Sequence, residues 1–474
     1  MNSKRLRIFV VGLVLLSILL SACAQATPQA TQKVEAPPAQ PEATAPPAQP
    51  EATAPPAQPE ATTPPSGGEA ESVLGGETIR LLFVGDPFAN ALQKIVADIE
   101  KQAGGKIQLE IVPYDAVHQK ILLNAQNNTS AYDVVSVDIV WMGEFGSGNV
   151  LQPLDDYLAK TDINVADFPE GAWTGAQYEG KQMAIPIQPH PEILAYRKDL
   201  FEKDGIAPPE TIEDVLSAAE HFNDPDNGLY GICWNGARGQ ALGQQMAHFY
   251  AAFGQELFDE NWKPLLDSPG GLKAAQYAME LMKYSPPDIL NMAWDERIRQ
   301  FAQGGCAMVY EWGARFAVVE DPASSKVVGN VGYIHAPNWS EAAPVTPNGE
   351  WTLAIPSNIG DRADLAWRFV AWLTAYEQLK QLALAGNSGM PRYSIIRDPE
   401  LVAMYPVFPA VDEIASKGQL QDWMRPAIPE WPVLADTLGT VYHEMLSGSL
   451  TPEEAVKKAQ ETMDGVMKQG GYYE

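Results

Sequence analysis

Cysteine and positive charge are both scarce in this chain. Three cysteines in 474 residues are too few for a scaffold held together by disulfides, so that class is excluded. Lys and Arg number 32 against 60 Asp and Glu, which gives a formal net charge of −28. So acidic a chain cannot neutralise a run of phosphates, which excludes nucleic acid as a partner and makes an anionic lipid surface a poor one.

The motifs of common catalytic sites are also missing. The chain has no Gly-x-Ser-x-Gly elbow, no Gly-rich phosphate loop ending in Lys, and no His-Glu-x-x-His pair. No two of the six histidines stand at metal-ligand spacing. We therefore predict no catalytic residue, no metal site and no cofactor. Cys233 and Cys306 lie in predicted buried strands and are interpreted as core cysteines, with a disulfide formed after export as the alternative.

The first residues follow the order of an export signal. A short basic region precedes an apolar run from Ile8 to Leu20, which is shorter than the roughly 20 residues of a membrane span. The run ends in Leu20-Ser-Ala-Cys23, which resembles the bacterial lipobox, where the signal is cut before a cysteine that carries diacylglycerol. We predict a signal peptide at 1–22 and a lipid on Cys23. The alternative is an uncleaved anchor with an incidental cysteine.

Residues 23–76 have the composition of a disordered spacer. The unit Ala-Pro-Pro-Ala-Gln-Pro-Glu-Ala-Thr occurs three times between Ala36 and Thr62. Without aromatic or large aliphatic side chains it cannot bury enough surface to offset its ordering entropy, and its prolines favour an extended chain. We predict a linker that holds the following part away from the membrane; the alternative role is recognition by a proline-binding domain.

The length of segment 77–474 and its pattern predict two α/β lobes. One hydrophobic core stops growing near roughly 250–300 residues, so this segment is expected to form two. Its first part alternates strands with helices in the order Ile79–Val84, a helix from Phe88 to Gly104, Ile107–Val112, a helix over Val117–Asn124, and Asp133–Asp138. This order predicts a parallel sheet covered by helices, with ligands at the carboxyl ends of the strands.

The rest of the chain contains further periodic segments. Extended segments are predicted at Ala184–Ile187, Ile193–Tyr196, Gly231–Trp234, Ala307–Tyr310, Val331–His335 and Leu353–Ile355. A long helix is predicted over Leu365–Ala385, and a final helix begins after Thr451 as N-cap, with Glu454 three residues on.

Tryptophans cluster at predicted strand ends and loops. Trp141, Trp312 and Trp351 flank strands, and Trp423 and Trp431 lie in Pro-rich stretches, whereas Trp367 and Trp372 lie within a helix and are interpreted as core. Aromatic faces stack on the apolar faces of sugar rings, while carboxylates and amides bind the hydroxyls. Candidates for such polar groups are Asp138, Glu144, Gln188, Glu311 and Arg392.

Several ordered motifs resemble one family along segment 77–474. They are Asp133-Val-Val-Ser-Val-Asp138 with Trp141, Leu151-Gln-Pro-Leu-Asp-Asp156, Tyr178-Glu-Gly-Lys181, Tyr196-Arg-Lys-Asp-Leu-Phe201, Phe301-Ala-Gln-Gly-Gly-Cys-Ala-Met308 with Trp312, Gly349-Glu-Trp-Thr-Leu-Ala-Ile-Pro356, Gly389-Met-Pro-Arg392 and Gly448-Ser-Leu-Thr-Pro-Glu-Glu454. Together they resemble the family 1 extracellular solute-binding proteins, the maltose-binding-protein-like sugar-binding components of bacterial ABC importers.

The resemblance implies a two-lobe clamp of the periplasmic-binding-protein type (type II), in which each lobe is a sheet flanked by helices and hinge crossovers join the lobes. It predicts a first lobe of 77–188 plus 337–376 and a second of 189–336 plus 377–474. Ligand contacts are predicted at Asp138, Trp141, Gln188, His190, Glu311, Trp312, Trp351 and Arg392. The segment Gln188–Glu192 matches no single sugar subclass, which leaves the sugar open.

The resemblance further implies a monomeric, non-enzymatic lipoprotein that captures a carbohydrate by hinge closure and delivers it to an ABC permease. It would be exported and lipid-anchored to the cell membrane, facing a periplasm or the cell exterior. Two alternatives from other classes remain: a binding protein of the same fold for a polyamine, peptide or metal complex, and an exported glycoside hydrolase using Asp138 and Glu311. A structural surface protein fits the two-lobe pattern poorly.

The lipid assignment can be tested by replacing the acceptor thiol. Because a serine hydroxyl cannot form the thioether to diacylglycerol, Cys23→Ser is expected to move the protein from the detergent phase to the aqueous phase of a Triton X-114 separation. The unaltered chain serves as the control. A Cys23→Ser variant that has lost its signal peptide and still partitions into detergent would refute the assignment.

Overall fold

The computed structural model describes residues 72–421 and 424–474. The predicted signal peptide, Cys23, the spacer up to residue 71 and Trp423 lie outside the described residues. Within the described part, no helix is both long and apolar enough to cross a membrane.

Strands and helices alternate through the described part. The strands are β1 Thr78–Val84, β2 Lys106–Val112, β3 Val134–Asp138, β4 Gln177–Tyr178, β5 Lys181–Gln182, β6 Ala184–Arg197, β7 Tyr230–Cys233, β8 Cys306–Trp312, β9 Val331–His335, β10 Thr346–Ala354 and β11 Leu420–Gln421. The helices are α1 Pro87–Ala103, α2 Tyr114–Ala125, α3 Met142–Ser147, α4 Asp155–Leu158, α5 Glu170–Gly175, α6 Lys198–Asp204, α7 Ile212–Phe222, α8 Gln240–Ala252, α9 Pro269–Met282, α10 Trp294–Ala302, α11 Ala363–Leu373, α12 Tyr376–Leu384, α13 Tyr393–Ile396, α14 Pro399–Met404, α15 Phe408–Ser416, α16 Trp431–Leu446 and α17 Pro452–Gln469.

The first lobe is built on the predicted parallel unit. Strands β1, β2 and β3 are parallel, and β10 and then β6 continue the sheet in the antiparallel sense. Helix α1 begins where Asp86 accepts a hydrogen bond from the Ala89 amide, and it ends at Gly104 in the left-handed conformation. The predicted strand–helix order, including the stop at Gly104, is confirmed, so the loops after β1, β2 and β3 emerge at one edge of this sheet.

Strand β6 belongs to both lobes. It pairs with β10 over Ala184–Pro191, and over Glu192–Arg197 it pairs with β8 and β9. Two separate extended segments are predicted here, at Ala184–Ile187 and Ile193–Tyr196. The structure joins them into one strand of 14 residues. Prolines are tolerated where the pairing of two strands is irregular. The register between β6 and β10 is irregular in this way, because it shifts between Trp351 and Thr352.

The second lobe contains a smaller sheet of β9, β6, β8 and β7, in which β7 lies parallel to β8. Cys233 ends β7 and Cys306 begins β8, and the two form a disulfide with a Cα–Cα separation of 5.9 Å. The interpretation as separate core cysteines is therefore wrong, and the alternative holds. Both residues are buried, and they lie on neighbouring strands.

Two further expectations need correction. The helix predicted over Leu365–Ala385 is broken into α11 and α12: Ala375 is extended, and the Thr374 carbonyl before it accepts a hydrogen bond from Arg392 Nε (2.8 Å). Trp431 does not lie in a loop: it is the first residue of α16 and is fully buried. The final helix has the predicted capping box of Thr451 and Glu454.

The contacts of two segments refine the predicted lobe boundaries. The Asn338 carbonyl accepts from the Ile212 amide, and the Trp339 amide donates to the Ala252 carbonyl, so this segment bonds to helices α7 and α8 of the second lobe. Helix α12 packs on α1 of the first lobe through Gln381. We therefore propose that the second lobe continues to the start of β10 and that α12 belongs to the first lobe.

The disulfide closes a loop of 73 residues, and its removal should lower stability. In a Cys23→Ser background, the double variant Cys233→Ala/Cys306→Ala is expected to lose about 2–5 kcal/mol of unfolding free energy in urea, because the loop is no longer constrained in the unfolded chain. The control is the reduced Cys23→Ser parent, which should match the double variant. Two free thiols in the unreduced, urea-unfolded parent would contradict the pairing.

Candidate ligand site between the lobes

A cavity of about 520 Å³ lies between the two lobes. The first lobe contributes the loops after β1 and β2, the end of β3, and the middle of β10. The second lobe contributes the end of β8, the start of α10, and Arg425 from the segment before α16. This location agrees with the rule that ligands of such sheets bind at the carboxyl ends of strands.

Three predicted residues form one row across the first-lobe sheet. Trp351 on β10 lies opposite Asp138 on β3 and opposite Gln188 on β6. Residues directly opposite one another in antiparallel strands project from the same face, so the indole lies between a carboxylate and an amide. All three side chains line the cavity. Sheet register, and not sequence proximity, brings them together.

Trp312 and His190 extend the site toward the second lobe. Their rings meet edge to face, with centroids 5.3 Å apart, and both line the cavity. Gly349 is opposite His190 on β10, and a Cβ there would lie 2.5 Å from the imidazole ring, so this close approach requires glycine. Burial lowers the pKa of His190 to about 3, which keeps the ring neutral at physiological pH.

Asp138 is held by two side chains that line the cavity, Tyr114 and Arg425. Its carboxylate accepts from the Tyr114 hydroxyl at 3.1 Å and from Arg425 Nη2 at 3.3 Å. The Arg425 guanidinium lies 5.3 Å from the centre of the Trp312 ring, and its Nη1 donates to the Asn348 carbonyl. Arg425 therefore links an acid of the first lobe to an aromatic ring of the second.

Aromatic rings from both lobes meet across the cavity. The Tyr114 ring lies 5.8 Å from Trp351 in its own lobe and 6.0 Å from Trp294 at the start of α10. Trp351 and Trp312 are 8% and 6% exposed, so each keeps part of its surface open to the cavity. Trp141 lies against Tyr114 and Trp351 and lines a neighbouring small cavity. It supports the rings of the site and does not line the site itself.

Glu311 does not line this cavity. It precedes Trp312 on β8, and successive residues of a strand project to opposite faces, so only one of the two can face the ligand. Glu311 points into the second-lobe core, where Arg297 binds it at 2.8 Å and also binds Glu192 at 2.8 Å. Burial raises the pKa of Glu311 to about 7, although the Arg297 charge opposes this shift. The triad is part of the core.

Arg392 also lies outside the cavity. Its guanidinium donates to Asp167 at 3.2 Å and stacks on the Phe168 ring at 4.3 Å. Glu144, another polar candidate, bonds to His118 at 2.6 Å on the far side of Trp141. Glu144 thus joins α3 to α2, and we retain neither Arg392 nor Glu144 as a ligand contact.

Most of the residues that line the cavity were not predicted, among them Asp86, Tyr114, Trp294, Arg315 and Arg425. A signal existed for Asp86, since it follows β1 directly and strand-end loops are the expected ligand positions. Burial raises the pKa of Asp86 to about 7, while the Ala89 amide and the Arg315 charge act in the opposite direction. Arg425 gives no local signal, because its role depends on Asp138, 287 residues away.

The described residues contain no group of three or more His, Cys, Asp or Glu arranged to hold a metal ion. The polar groups that line the cavity are instead mixed: carboxylates, guanidinium groups, two glutamine amides, a tyrosine hydroxyl and a neutral imidazole. Such a set, together with aromatic faces, can bind a small molecule rich in hydroxyl groups.

Comparison with known proteins agrees with this geometry. A family model described as "Bacterial extracellular solute-binding protein" matches residues 85–380, which is more than half of the chain. A mannitol-binding protein from Pseudomonas aeruginosa is 25% identical over 422 residues, covering 84% of this chain and 95% of that protein.

Solved structures match over the same range. An ABC transporter solute-binding protein from Agrobacterium radiobacter K84, in complex with ribitol, is 31% identical with a TM-score of 0.78, over 83% of this chain and 99% of that one. A second such protein, from Agrobacterium vitis S4 with bound D-mannitol, is 28% identical with a TM-score of 0.75, over 84% of this chain and 100% of that one. These structures share the two-lobe clamp fold. The chain therefore belongs to the bacterial extracellular solute-binding protein family.

Proposed function

We propose that this protein captures a sugar or sugar alcohol between its lobes and delivers it to an ABC importer. The observation that carries the proposal is the row of Asp138, Trp351 and Gln188 in the first lobe, which lines one cavity with Trp312 of the second lobe. An indole beside hydrogen-bonding groups fits a molecule that has apolar C–H faces and hydroxyl edges. The relatives that bind mannitol and ribitol support this class of ligand.

The charges in the cavity favour a neutral ligand. Asp138 is already bound by Tyr114 and Arg425, so its charge is largely compensated. Arg315 pairs with Asp295 in the same way. Burying an uncompensated charge against these pairs would cost more than burying hydroxyl groups, which donate and accept. A polyamine would have to use Asp86 or Glu296, which also line the cavity and lie outside these two pairs.

Only one of the two carboxylic acids that the glycoside hydrolase alternative requires lines the cavity. It required Asp138 and Glu311 on either side of a glycosidic bond, and Glu311 is bound by Arg297 in the core. We therefore propose binding without bond cleavage. A ligand recovered from the complex should have an unchanged mass, and a hydrolysed product would reinstate the enzyme.

Capture by closure follows from the two-sided site. A ligand that touches both lobes binds the closed conformation more tightly than the open one, and only that difference in affinity can shift the equilibrium. The continuous strand β6 provides a crossing at which small dihedral changes can rotate one lobe against the other. We further propose that the monomer is held at the membrane by a lipid on Cys23 and meets its permease there.

The binding role predicts specific losses on removing the rings. Calorimetry with ribitol, D-mannitol and maltose first identifies which of the three binds most tightly. Trp312→Ala and Trp351→Ala are each expected to weaken binding of that ligand at least tenfold, because truncating a central aromatic anchor usually costs about 2 kcal/mol or more. The matched control is Trp372→Ala, a half-buried tryptophan of α11 that does not line the cavity.

Circular dichroism of each variant checks that the fold is retained. Equal affinities for the unaltered chain and both site variants would remove these rings from the site. A chain that binds no sugar or sugar alcohol in a wider panel would refute the proposed ligand class.

A further inference from the structure

The chain leaves β8 along the wall of the ligand cavity. Three residues of this exit line the cavity: Trp312, Ala314 and Arg315. Trp312 is the last residue of β8, and the chain continues as a 3₁₀ turn over Gly313–Val318. The hydrogen bonds within such a turn are poorly aligned, so the place of the exit depends on contacts with the rest of the lobe.

Glu311 contacts this exit from the core side at two points. Its Oε1 accepts a hydrogen bond from the Trp312 amide at 2.8 Å, and the same oxygen lies 3.9 Å from Arg315 Nε. Arg315 also donates to Asp295 through Nη2, so its guanidinium has a second anchor. Trp312 is therefore the lining residue whose place depends most on Glu311.

Arg297 fixes the orientation of the Glu311 carboxylate. Its Nη2 and Nε donate to the two carboxylate oxygens at 2.8 and 3.1 Å, which is the bidentate geometry of a guanidinium on a carboxylate. Its Nη1 donates to Glu192 on β6 at 2.8 Å and to Gln245 on α8 at 3.0 Å. Because Arg297 itself lies on α10, the orientation of Glu311 is tied to three further elements.

The elements that Arg297 joins also carry lining residues. These are Gln188 and His190 on β6, Gln244 on α8 and Trp294 on α10. A buried ion cluster often stabilises a fold no better than apolar side chains of similar volume. Hydrogen bonds differ from apolar contacts in being directional, so this cluster can hold the cavity wall in one geometry.

We propose that Glu311 is a positioning residue of the ligand site: held by Arg297, it fixes the backbone of Trp312 and thereby the place of the indole that faces the ligand. Because the ring projects from that backbone, a shift of the Trp312 amide would move the indole away from His190 and Arg425. The ligand would then have to order the ring on binding, which lowers affinity. This inference rests on the proposed function and adds a residue that acts without touching the ligand.

Glu311→Leu and Glu311→Gln separate positioning from packing. Glutamine keeps an oxygen that can accept from the Trp312 amide, whereas leucine supplies only volume. Leucine still leaves Arg297 paired with Glu192, so it buries no unpaired charge. In calorimetry with the tightest of ribitol, D-mannitol and maltose, Glu311→Leu is expected to bind about tenfold more weakly, because ordering a large side chain on binding costs roughly that much. Glu311→Gln is expected to restore the affinity.

The place of the ring is measured separately, without ligand. Each protein is labelled with fluorotryptophan, and the fluorine resonance of Trp312 is assigned by its loss in Trp312→Phe. One sharp resonance is expected for the unaltered chain and for Glu311→Gln, and a shifted, broadened or split one for Glu311→Leu. Arg297→Lys keeps the charge but cannot hold both carboxylate oxygens, so it should disturb the resonance in the same way and replaces the leucine variant if that one does not fold.

The control for lost stability is Cys233→Ala/Cys306→Ala, with all proteins in the Cys23→Ser background. Cys306 begins β8, at the end opposite Glu311, so this control should melt earlier yet keep the sharp resonance and the affinity. The positioning role is overturned if Glu311→Leu keeps the resonance or the affinity of the parent, or if the control loses as much affinity as Glu311→Leu. A parent that binds no sugar or sugar alcohol refutes the proposed function, whereas the ligand-free spectra still decide whether Glu311 positions the ring.

Discussion

Fourteen consecutive residues of β6 hydrogen-bond to strands of both lobes, and the geometry of the site depends on that one strand. Its first half places Gln188 and His190 beside β10, and its second half is paired with β8, which ends at Trp312. The distance between the first-lobe row and the second-lobe ring is therefore set along a continuous backbone. A rotation at the change of partners moves whole lobes while each half of the strand keeps its pairing.

Local sequence pattern is sufficient to predict the strands and helices that position most of the site. The parallel unit, the stop at Gly104 and the capping box at Thr451 each follow from a few neighbouring residues, and the structure has them all. The placement of Asp138 at a strand end is also local information, whereas Trp351, expected to precede a strand, lies within β10. That they lie opposite one another is not local information, because strand register is fixed by pairing between segments over 200 residues apart in the chain.

The differences between expectation and structure share a physical cause. Proximity in the chain groups Glu311 with Trp312, but alternation along a strand sends neighbours to opposite faces, and the buried Arg297 binds the carboxylate there. The break between α11 and α12 lies where Arg392 donates to the Thr374 carbonyl, and the disulfide joins residues 73 apart in the chain. Arg425 matters only through a distant partner, Asp138. Contacts between residues far apart in the chain leave no periodic pattern in a single sequence.

The central claim is that a small neutral ligand bridges the two lobes and closes them. Small-angle X-ray scattering of a fragment beginning at Ser72, with and without saturating alditol or sugar shown by calorimetry to bind, tests it most directly. The radius of gyration should be smaller in the bound state of the unaltered fragment. It should not change when the same ligand is added to Trp351→Ala at a concentration that leaves this variant unsaturated. An unchanged radius of gyration on saturation of the unaltered fragment would contradict closure around the ligand.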